Sequence, residues 1–307
     1  MSGGRRPSVS VVVPTHDRPA LLARTVAAVV AQDYAGDVEC IVVHDGEPAA
    51  PIAHARDGRV RLRHIHNART PGLPGARNTG ILAAEGELIA FCDDDDVWSP
   101  AKLRKQVAVL DNDGSALVVG CGNTVVFGSH RTVRIGSSDV VRFHDLLLTR
   151  VAVLHSSTIL ARRDAVIHRI GLTSEEIPGG ASEDYEWQLR AARLAPIRLV
   201  NEPLVDIEWH DGSMYARRWD LYVAGLRYIL DHYREFDDAP KGRARLCGQI
   251  AFGYAMCRDL RDAMRWAARC LRDDLAQPRA YLAVLVTLRL LPAHAMLHWL
   301  HRHGRGI

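Results

Sequence analysis

Residues 88–96 read Leu-Ile-Ala-Phe-Cys and then Asp93-Asp94-Asp95-Asp96, with Val97-Trp98-Ser99-Pro100 behind them. The apolar run asks to be buried. Four adjacent carboxylates repel one another and packing cannot use them. The segment therefore reads as a strand that stops at the mouth of a sheet and delivers its acids there. Positive charge has to sit among them, and a divalent cation held by hard oxygen ligands is the natural source. A solvated acidic turn is the bland alternative.

The preceding residues fit that picture. Residues 9–13 are a buried strand ended by Pro14, and 19–32 have helical apolar spacing through Leu21, Leu22, Val26, Val29 and Val30. Strands follow at 38–43, which ends in His44-Asp45-Gly46, and at 60–65. A helix over 75–84 is opened by the loop Thr70-Pro-Gly-Leu-Pro-Gly75, and a further helix over 100–110 has Pro at its favoured first position. This alternation predicts an α/β fold, an open, mixed but largely parallel sheet covered by helices. Ligands of such sheets bind beyond the carboxyl ends of the strands, where Asp45 and Asp93 to Asp96 fall. Further on, 116–127 and 151–160 read as strands, 183–195 as a helix with Ser182 as N-cap, and 198–200 and 204–209 as short extended pieces. Beyond Met214 the pattern is helical, with breaks marked by Pro240, Pro278 and Pro292.

A chain of 307 residues, 48% apolar and 24% charged, suits a soluble globular protein. The division expected is one α/β domain over 8–215 and a helical extension over 216–307. Six scattered cysteines without a CxxC pair argue against a zinc site or disulfide framework and fit a reducing compartment. The polar N-terminus lacks a signal peptide's apolar stretch, and no run of about 18 apolar residues suggests a membrane span. The expectation is a cytoplasmic protein with no nucleic-acid partner. From residue 217 on there are 16 Arg and Lys against 9 Asp and Glu, while the rest has 23 against 27. The basic tail either solvates its helices or faces an anionic membrane surface at the inner leaflet. Its apolar stripe, Tyr281, Leu282, Val284, Leu285, Leu288 and Leu291, suits core packing, a homo-oligomer contact or an interfacial helix. His294, His298, His301 and His303 read as polar-face residues.

Five segments in order carry a resemblance: Val-Val-Val-Pro-Thr-His-Asp-Arg (11–18), Ile-Val-Val-His-Asp-Gly (41–46), Gly-Ala-Arg-Asn-Thr-Gly (75–80), Phe-Cys-Asp-Asp-Asp-Asp-Val-Trp-Ser-Pro (91–100) and Ser-Glu-Asp-Tyr-Glu (182–186). From about residue 8 to 215 the chain resembles a family 2 glycosyltransferase of the GT-A fold. The resemblance implies a nucleotide-sugar donor, usually UDP-linked, a Mn2+ or Mg2+ ion, transfer with inversion, and a saccharide, lipid-linked or small-molecule acceptor.

The chemistry of the residues agrees. A departing nucleoside diphosphate gains negative charge, which a cation bridging carboxylate and diphosphate stabilises. By resemblance Asp95 is the direct metal ligand, and Asp93 contacts ribose or reaches the metal through water, with Asp94 beside them. Asp96 binds sugar or acceptor hydroxyls or caps the next helix. Asp45 is expected to accept from the uracil N3–H, although His44 stands where many relatives have a second acid. Pro14, Thr15 and Asp17 wall the base and ribose, unless Asp17 caps the helix that follows. Arg77, near a helix start, clamps phosphate or base, and Asn78 braces its loop. The attacking hydroxyl must lose a proton, and Asp184 matches the family's Glu-Asp pair as the general base, oriented by Glu183. His210 fits a metal- or diphosphate-binding position. Trp209 and residues 155–158 border the sugar or acceptor, while Trp187 suits the core. Residues 172–181 depart from the family pattern and leave the acceptor undefined.

Two other classes compete. Phe91-Cys-Asp93-Asp-Asp95-Asp-Val97 also fits a haloacid-dehalogenase-type phosphatase with Asp93 as nucleophile, although that motif normally opens the first strand. A non-catalytic nucleotide-sugar binding module is the other, which the intact Asp95 and Asp184 oppose.

Overall fold

The structure, a computed structural model, describes residues 5–46, 60–209, 218–292 and 296. The strands in chain order are β1 (Val9–Thr15), β2 (Val38–His44), β3 (Val60–His66), β4 (Leu88–Phe91), β5 (Val97–Trp98), β6 (Val118–Phe127), β7 (His130–Arg134), β8 (Val140–Val141), β9 (Leu160–Arg162) and β10 (Ile197–Glu208). The helices are α1 (Pro19–Val30), α2 (Leu73–Ala83), α3 (Lys102–Asn112), α4 (Phe143–Leu148), the short α5 (Arg163–Ala165), α6 (Glu183–Leu194), α7 (Trp219–His232), α8 (Pro240–Met256), α9 (Leu260–Asp273) and α10 (Pro278–Thr287).

The sheet runs in the order β3-β2-β1-β4-β9-β6-β10-β5, with β7 beside β6 and β8 beside β10. The first four strands are parallel, and β1, β2 and β4 are buried along their whole length. Continuous Val and Ile runs suit strands covered on both faces. β9 lies antiparallel between β4 and β6, and β10 is parallel to β6. The carboxyl ends of β1, β2, β4, β6 and β10 therefore open on the same edge, which carries Thr15, Asp45, Asp93 and Trp209. The helix α2 packs hard on β1: a Cβ on Gly80 would lie 2.3 Å from Val12 Cγ1.

Three local expectations are corrected. Only Leu160 of 151–160 begins a strand; Ser156–Thr158 form a 3-10 turn, closed by Thr158 Oγ1 donating to the Val153 and His155 carbonyls. The two extended pieces near 200 are one strand, β10, bent by register shifts on either side of Pro203, which has no N–H for the ladder. Ser182 does not cap α6 with its side chain; its backbone is left-handed at φ 69°. Pro240 and Pro278 do mark breaks, each by opening a helix.

Side chains of α7 and α8, among them Val223, Leu226, Leu246 and Ile250, share one core cluster with Val12, Phe91, Leu146 and Tyr185. The Tyr185 hydroxyl donates to Leu146 O at 2.6 Å and accepts from Arg245 Nη2 at 2.7 Å, tying α6 to α4 and α8. α9 and α10 pack on α8 around a second cluster that includes Cys247, Phe252 and Cys270. Tyr281, Leu285 and Leu288 stay exposed, while Leu282 and Val284 pack inward. Among the described residues no helix is long and apolar enough to cross a membrane. His294, His298, His301 and His303 lie outside the described residues.

A Cβ at Gly225 of α7 would lie 2.0 Å from the carbonyl oxygen of Ala181, at the start of the loop into α6. Alanine has the better helix propensity, but the backbone contact cannot yield. Gly225→Ala should lower stability in urea by about 1–3 kcal/mol. Unchanged stability would show that α7 moves off this loop without cost.

Candidate active site

The apolar part of β4 ends at Phe91, and the chain turns at once: Asp96 N–H donates to Asp93 O at 3.2 Å. The turn brings residues three apart together. Asp93, Asp96 and His155 each offer a ligand atom within 4.8 Å of the others. His155 Nδ1 is 3.4 Å from Asp96 Oδ2, and its Nε2 is 3.8 Å from Asp93 Oδ2. Ser157 ties the group together by donating to Asp96 and accepting from Asp93 N–H. Asp96 is only 1% exposed and also accepts from Glu208 N–H at 3.2 Å. Burial, with the Asp93 and Asp95 charges, pushes its carboxyl well above the ordinary range. Two carboxylates and an imidazole so arranged form an oxygen-rich donor set that suits a divalent cation.

The expectation for Asp95 is altered by this turn. Its carboxylate faces Arg18 Nη1 at 3.0 Å, and the acids that converge with His155 are Asp93 and Asp96. Asp96 does not cap α3, which has no side-chain cap; only 1% exposed, it lies at the cavity wall beside His155. Asp94 accepts from Thr15 Oγ1 at 2.7 Å, with Arg18 at 3.4 Å. Burial pushes its carboxyl up to about 6, Thr15 opposing and Asp95 adding to the rise. His210 lies outside the described residues.

Asp45 stands at the end of β2, its carboxylate accepting from Asn67 Nδ2 and from Gly72 N–H, both at 2.8 Å. A carboxylate has about four acceptor sites, so capacity remains for a ligand N–H. Pro14, Thr15 and Asp45 line the cavity with Asp93 to Asp96; Asp17 does not. The Asp17 side chain is 72% exposed and makes no cap for α1, so neither expected role is seen.

Arg77 is corrected more strongly. Its side chain is 3% exposed and is not among those that line the cavity. Nη1 donates to Glu183 Oε1 at 2.5 Å and Nη2 to Asp93 Oδ1 at 2.9 Å. A guanidinium committed to two carboxylates is a brace, not a phosphate clamp. Burial works against its charge, but Asp93 and Glu183 outweigh it and hold the pKa above the ordinary value. Burial pushes the Glu183 carboxyl up to about 7, with Arg77 pulling it down and Asp184 adding to the rise.

Glu183 and Asp184 open α6, and Asp184 reaches the cavity. Its carboxylate, 12% exposed, accepts from Arg150 Nη2 at 2.6 Å. Burial acts to raise its pKa, but Arg150 and His155 overcome that and keep it below the usual carboxylate range. Asn78 braces its loop as read: Nδ2 donates to Thr173 O and Glu175 Oε1, while Oδ1 accepts from the Thr173 N–H and hydroxyl. Glu175 also takes Arg69 Nε and Thr70 N–H, so residues 172–176 are latched to the loop that holds Asp45. His155, Ser156 and Trp209 line the cavity, while Trp187 packs edge-on to Phe91 in the core. Sequence reasoning assigned no role to Arg150 or Glu175, because each is recruited by partners distant in the chain.

The whole forms one cavity of about 570 Å³. Open sheet, acidic strand end and facing helix start together define the GT-A fold. The description of glycosyl transferase family 2 matches residues 10–167, and the chain belongs to that family. It is 36% identical over 121 residues to the uncharacterized glycosyltransferase EpsJ of Bacillus subtilis, covering 38% of this chain and 34% of EpsJ. Over 116 residues it is 37% identical to the succinoglycan biosynthesis protein ExoO of Rhizobium meliloti, covering 37% of this chain and 32% of ExoO. It is 29% identical over 115 residues to WfgD of Escherichia coli, a UDP-Glc:alpha-D-GlcNAc-diphosphoundecaprenol beta-1,3-glucosyltransferase, covering 36% and 44% of the two chains. The chain spans about a third of the length of the first curated relatives it matches. Among solved structures, S. aureus TarS superposes with TM-score 0.62 at 17% identity, over 92% of this chain and 53% of TarS. The mannosyltransferase PcManGT of Pyrobaculum calidifontis, solved with GDP-Man and Mn2+, gives 0.56 at 18% identity, over 97% and 84%. A phosphatase with Asp93 as nucleophile does not survive these matches, nor its place on the fourth strand.

Removing Arg77 would strand the buried Glu183 carboxylate and leave the partly exposed Asp93 without its partner. Arg77→Met should cost about 3–5 kcal/mol in denaturant unfolding; a loss below 1 kcal/mol would mean the brace is dispensable. Glu175 has its carboxyl held down to about 2: burial acts to raise it, and Thr70, Asn78 and Arg69 outweigh burial. A depressed carboxylate stabilises the fold above its unfolded pKa and loses that contribution as pH falls. The stability gap between the parent and Glu175→Gln should be full above pH 4.5 and shrink toward pH 2. A gap independent of pH across that window would remove the latch.

Proposed function

We propose that the protein transfers a sugar, with inversion, from a nucleoside diphosphate sugar, UDP-linked, to an acceptor hydroxyl. The observation that carries this is the shared cavity: Asp45 at the nucleotide end, the Asp93 to Asp96 turn in the middle, and Asp184 facing them. Solved neighbours of the fold include TarS in complex with UDP and with UDP-GlcNAc. Relatives in succinoglycan biosynthesis and in building on a diphosphoundecaprenol sugar support a saccharide or lipid-linked acceptor in envelope or polysaccharide synthesis.

In this reading Asp45 accepts from the base N3–H while Asn67 and Gly72 hold it still. Pro14 and Thr15 wall the nucleoside. Asp93, Asp96 and His155 would hold Mn2+ or Mg2+, with Asp95 held beside them by Arg18. The ion, when bound, neutralises charge gathering on the diphosphate. Asp184 takes the proton of the attacking hydroxyl. Its lowered pKa keeps it ionised at neutral pH, so it is ready to accept a proton but a weak base on its own. Glu183, pinned by Arg77, fixes where α6 begins and hence where Asp184 points. Asp45, Asp93 to Asp96, His155 and Asp184 all lie within residues 8–215, which we take as the transferase unit, with Tyr222 of α7 adding to the cavity wall.

Asp184→Asn should cut transfer by about 100- to 10,000-fold, the usual worth of a positioned base, while calorimetry shows UDP binding with Mn2+ unchanged. Transfer at near the parent rate would remove Asp184 as base. His155→Ala should weaken Mn2+-dependent UDP binding more than Asp95→Ala does; the reverse order would return the ion to Asp95.

A further inference from the structure

Three residues of α7 and α8 form a hydrogen-bonded chain that can run in one direction only. Arg245 of α8 is buried, and among the described residues it bonds to neutral oxygens alone. Its Nε donates to Leu148 O at 3.2 Å, Nη2 to the Tyr185 hydroxyl at 2.7 Å and Nη1 to Gln249 Oε1 at 3.1 Å. Gln249, one turn further along α8 and also buried, donates from Nε2 to the Tyr222 hydroxyl at 3.0 Å. A guanidinium donates and never accepts, so the amide must turn its oxygen to Arg245 and its NH2 to Tyr222. The Tyr222 oxygen is therefore an acceptor, and its own O–H proton is left to point elsewhere. Among the described residues that proton meets no acceptor. Tyr222 lines the cavity, where a bound molecule can receive it. The buried cation at the head of the chain polarises the bonds that follow and strengthens this last donor.

Packing sets where the donor stands. α7 lies so close to the loop before α6 that a Cβ on Gly225 would fall 2.0 Å from Ala181 O. Tyr222 is three residues earlier, on the same face of α7. It is thereby held beside Ala181 and Ser182, which line the cavity with it, at the start of the helix that carries Asp184. Trp219 packs T-shaped against the Tyr222 ring, with centroids 5.7 Å apart.

We propose that Tyr222 donates its hydroxyl proton to an oxygen of the acceptor sugar, so that α7, beyond the 8–215 unit, supplies a specificity residue to the acceptor site. Asp184 takes the proton of the attacking hydroxyl, while Tyr222 holds a second oxygen of the same sugar. A sugar with an oxygen in reach satisfies the donor; one without it leaves the O–H unpaired, and contacts of that kind are selective. Calling the sugar an acceptor rests on the transfer reading above; the donor and its direction do not.

The test is calorimetry on the full chain saturated with UDP and Mn2+, titrated with the methyl glycosides of glucose, galactose, mannose and N-acetylglucosamine. Tyr222→Phe keeps the ring and should weaken the tightest glycoside about five- to tenfold, the worth of one such bond, with UDP binding unchanged. Gln249→Glu keeps the tyrosine but offers a carboxylate that accepts from Arg245 and from the Tyr222 O–H together. It turns the proton away from the cavity and should reproduce the loss. One deoxy form of the tightest glycoside should bind the parent as weakly as the intact sugar binds Tyr222→Phe, and that variant should not tell the two sugars apart. An affinity untouched by Tyr222→Phe overturns the proposal, as does a Gln249→Glu protein that binds UDP and the glycoside like the parent. So does a parent that no glycoside saturates, because the proposal commits to a sugar. If Gln249→Glu fails to bind UDP and so to fold, Tyr222→Phe and the deoxy sugars still decide. If the parent fails to bind UDP, the donor reading falls, and the same titrations without UDP test Tyr222.

Discussion

A guanidinium cannot shed its proton, so a buried one obliges carboxylates to come to it. Arg77 does this to two acids, Asp93 and Glu183, separated from it by 16 and 106 residues. Asp93 follows β4, the last strand of the parallel half, and Glu183 opens the helix that faces it. One ion-pair bridge therefore ties the end of β4 to the start of α6, the two elements that carry Asp93 and Asp184. Gly75 allows it: a Cβ there would fall 1.9 Å from Thr70 O, so only glycine lets α2 begin tight against the loop that also holds Asp45.

The cleft is electrically divided. On the strand side the acids outnumber the bases, and Asp94 and Asp96 are both pushed toward the protonated state by burial and by each other's neighbours. With His155 they make a donor set of the kind that suits a divalent cation. Across the cavity the Arg150 guanidinium meets Asp184 at 2.6 Å, so that acid is paired where the strand-end acids are crowded. Low exposure makes the strand-side imbalance matter, since water screens it poorly.

Much of this was legible in the chain. The β1-α1-β2-β3-α2-β4 order follows from apolar periodicity and from turn residues, because each of those elements is recognised within its own window. Asp45, Asp93 and Asp184 could be placed at strand ends and a helix start for the same reason: the elements that carry them read locally. The irregular middle was not legible. The 3-10 turn of Ser156–Thr158 follows from side-chain bonds to nearby carbonyls, which compete with strand pairing without leaving a periodic trace. Ser182 has the residue type of an N-cap yet adopts left-handed backbone, because its place is set by α7 packing across the loop.

The sequence by itself determined which chemistry is present: a run of carboxylates at a strand end, a further acid pair at a helix start, and an α/β frame that brings strand ends to one edge. Hydrophobic pattern and charge density decide such things residue by residue. Only the tertiary structure decided how those groups are shared out. The turn after Phe91 joined Asp93 to Asp96 and His155 while handing Asp95 to Arg18. Burial turned Arg77 from a ligand-facing cation into a brace, and folding set Arg150 on Asp184 from 34 residues away. Partners for a buried charge are chosen by geometry across the chain, and no local pattern records that choice.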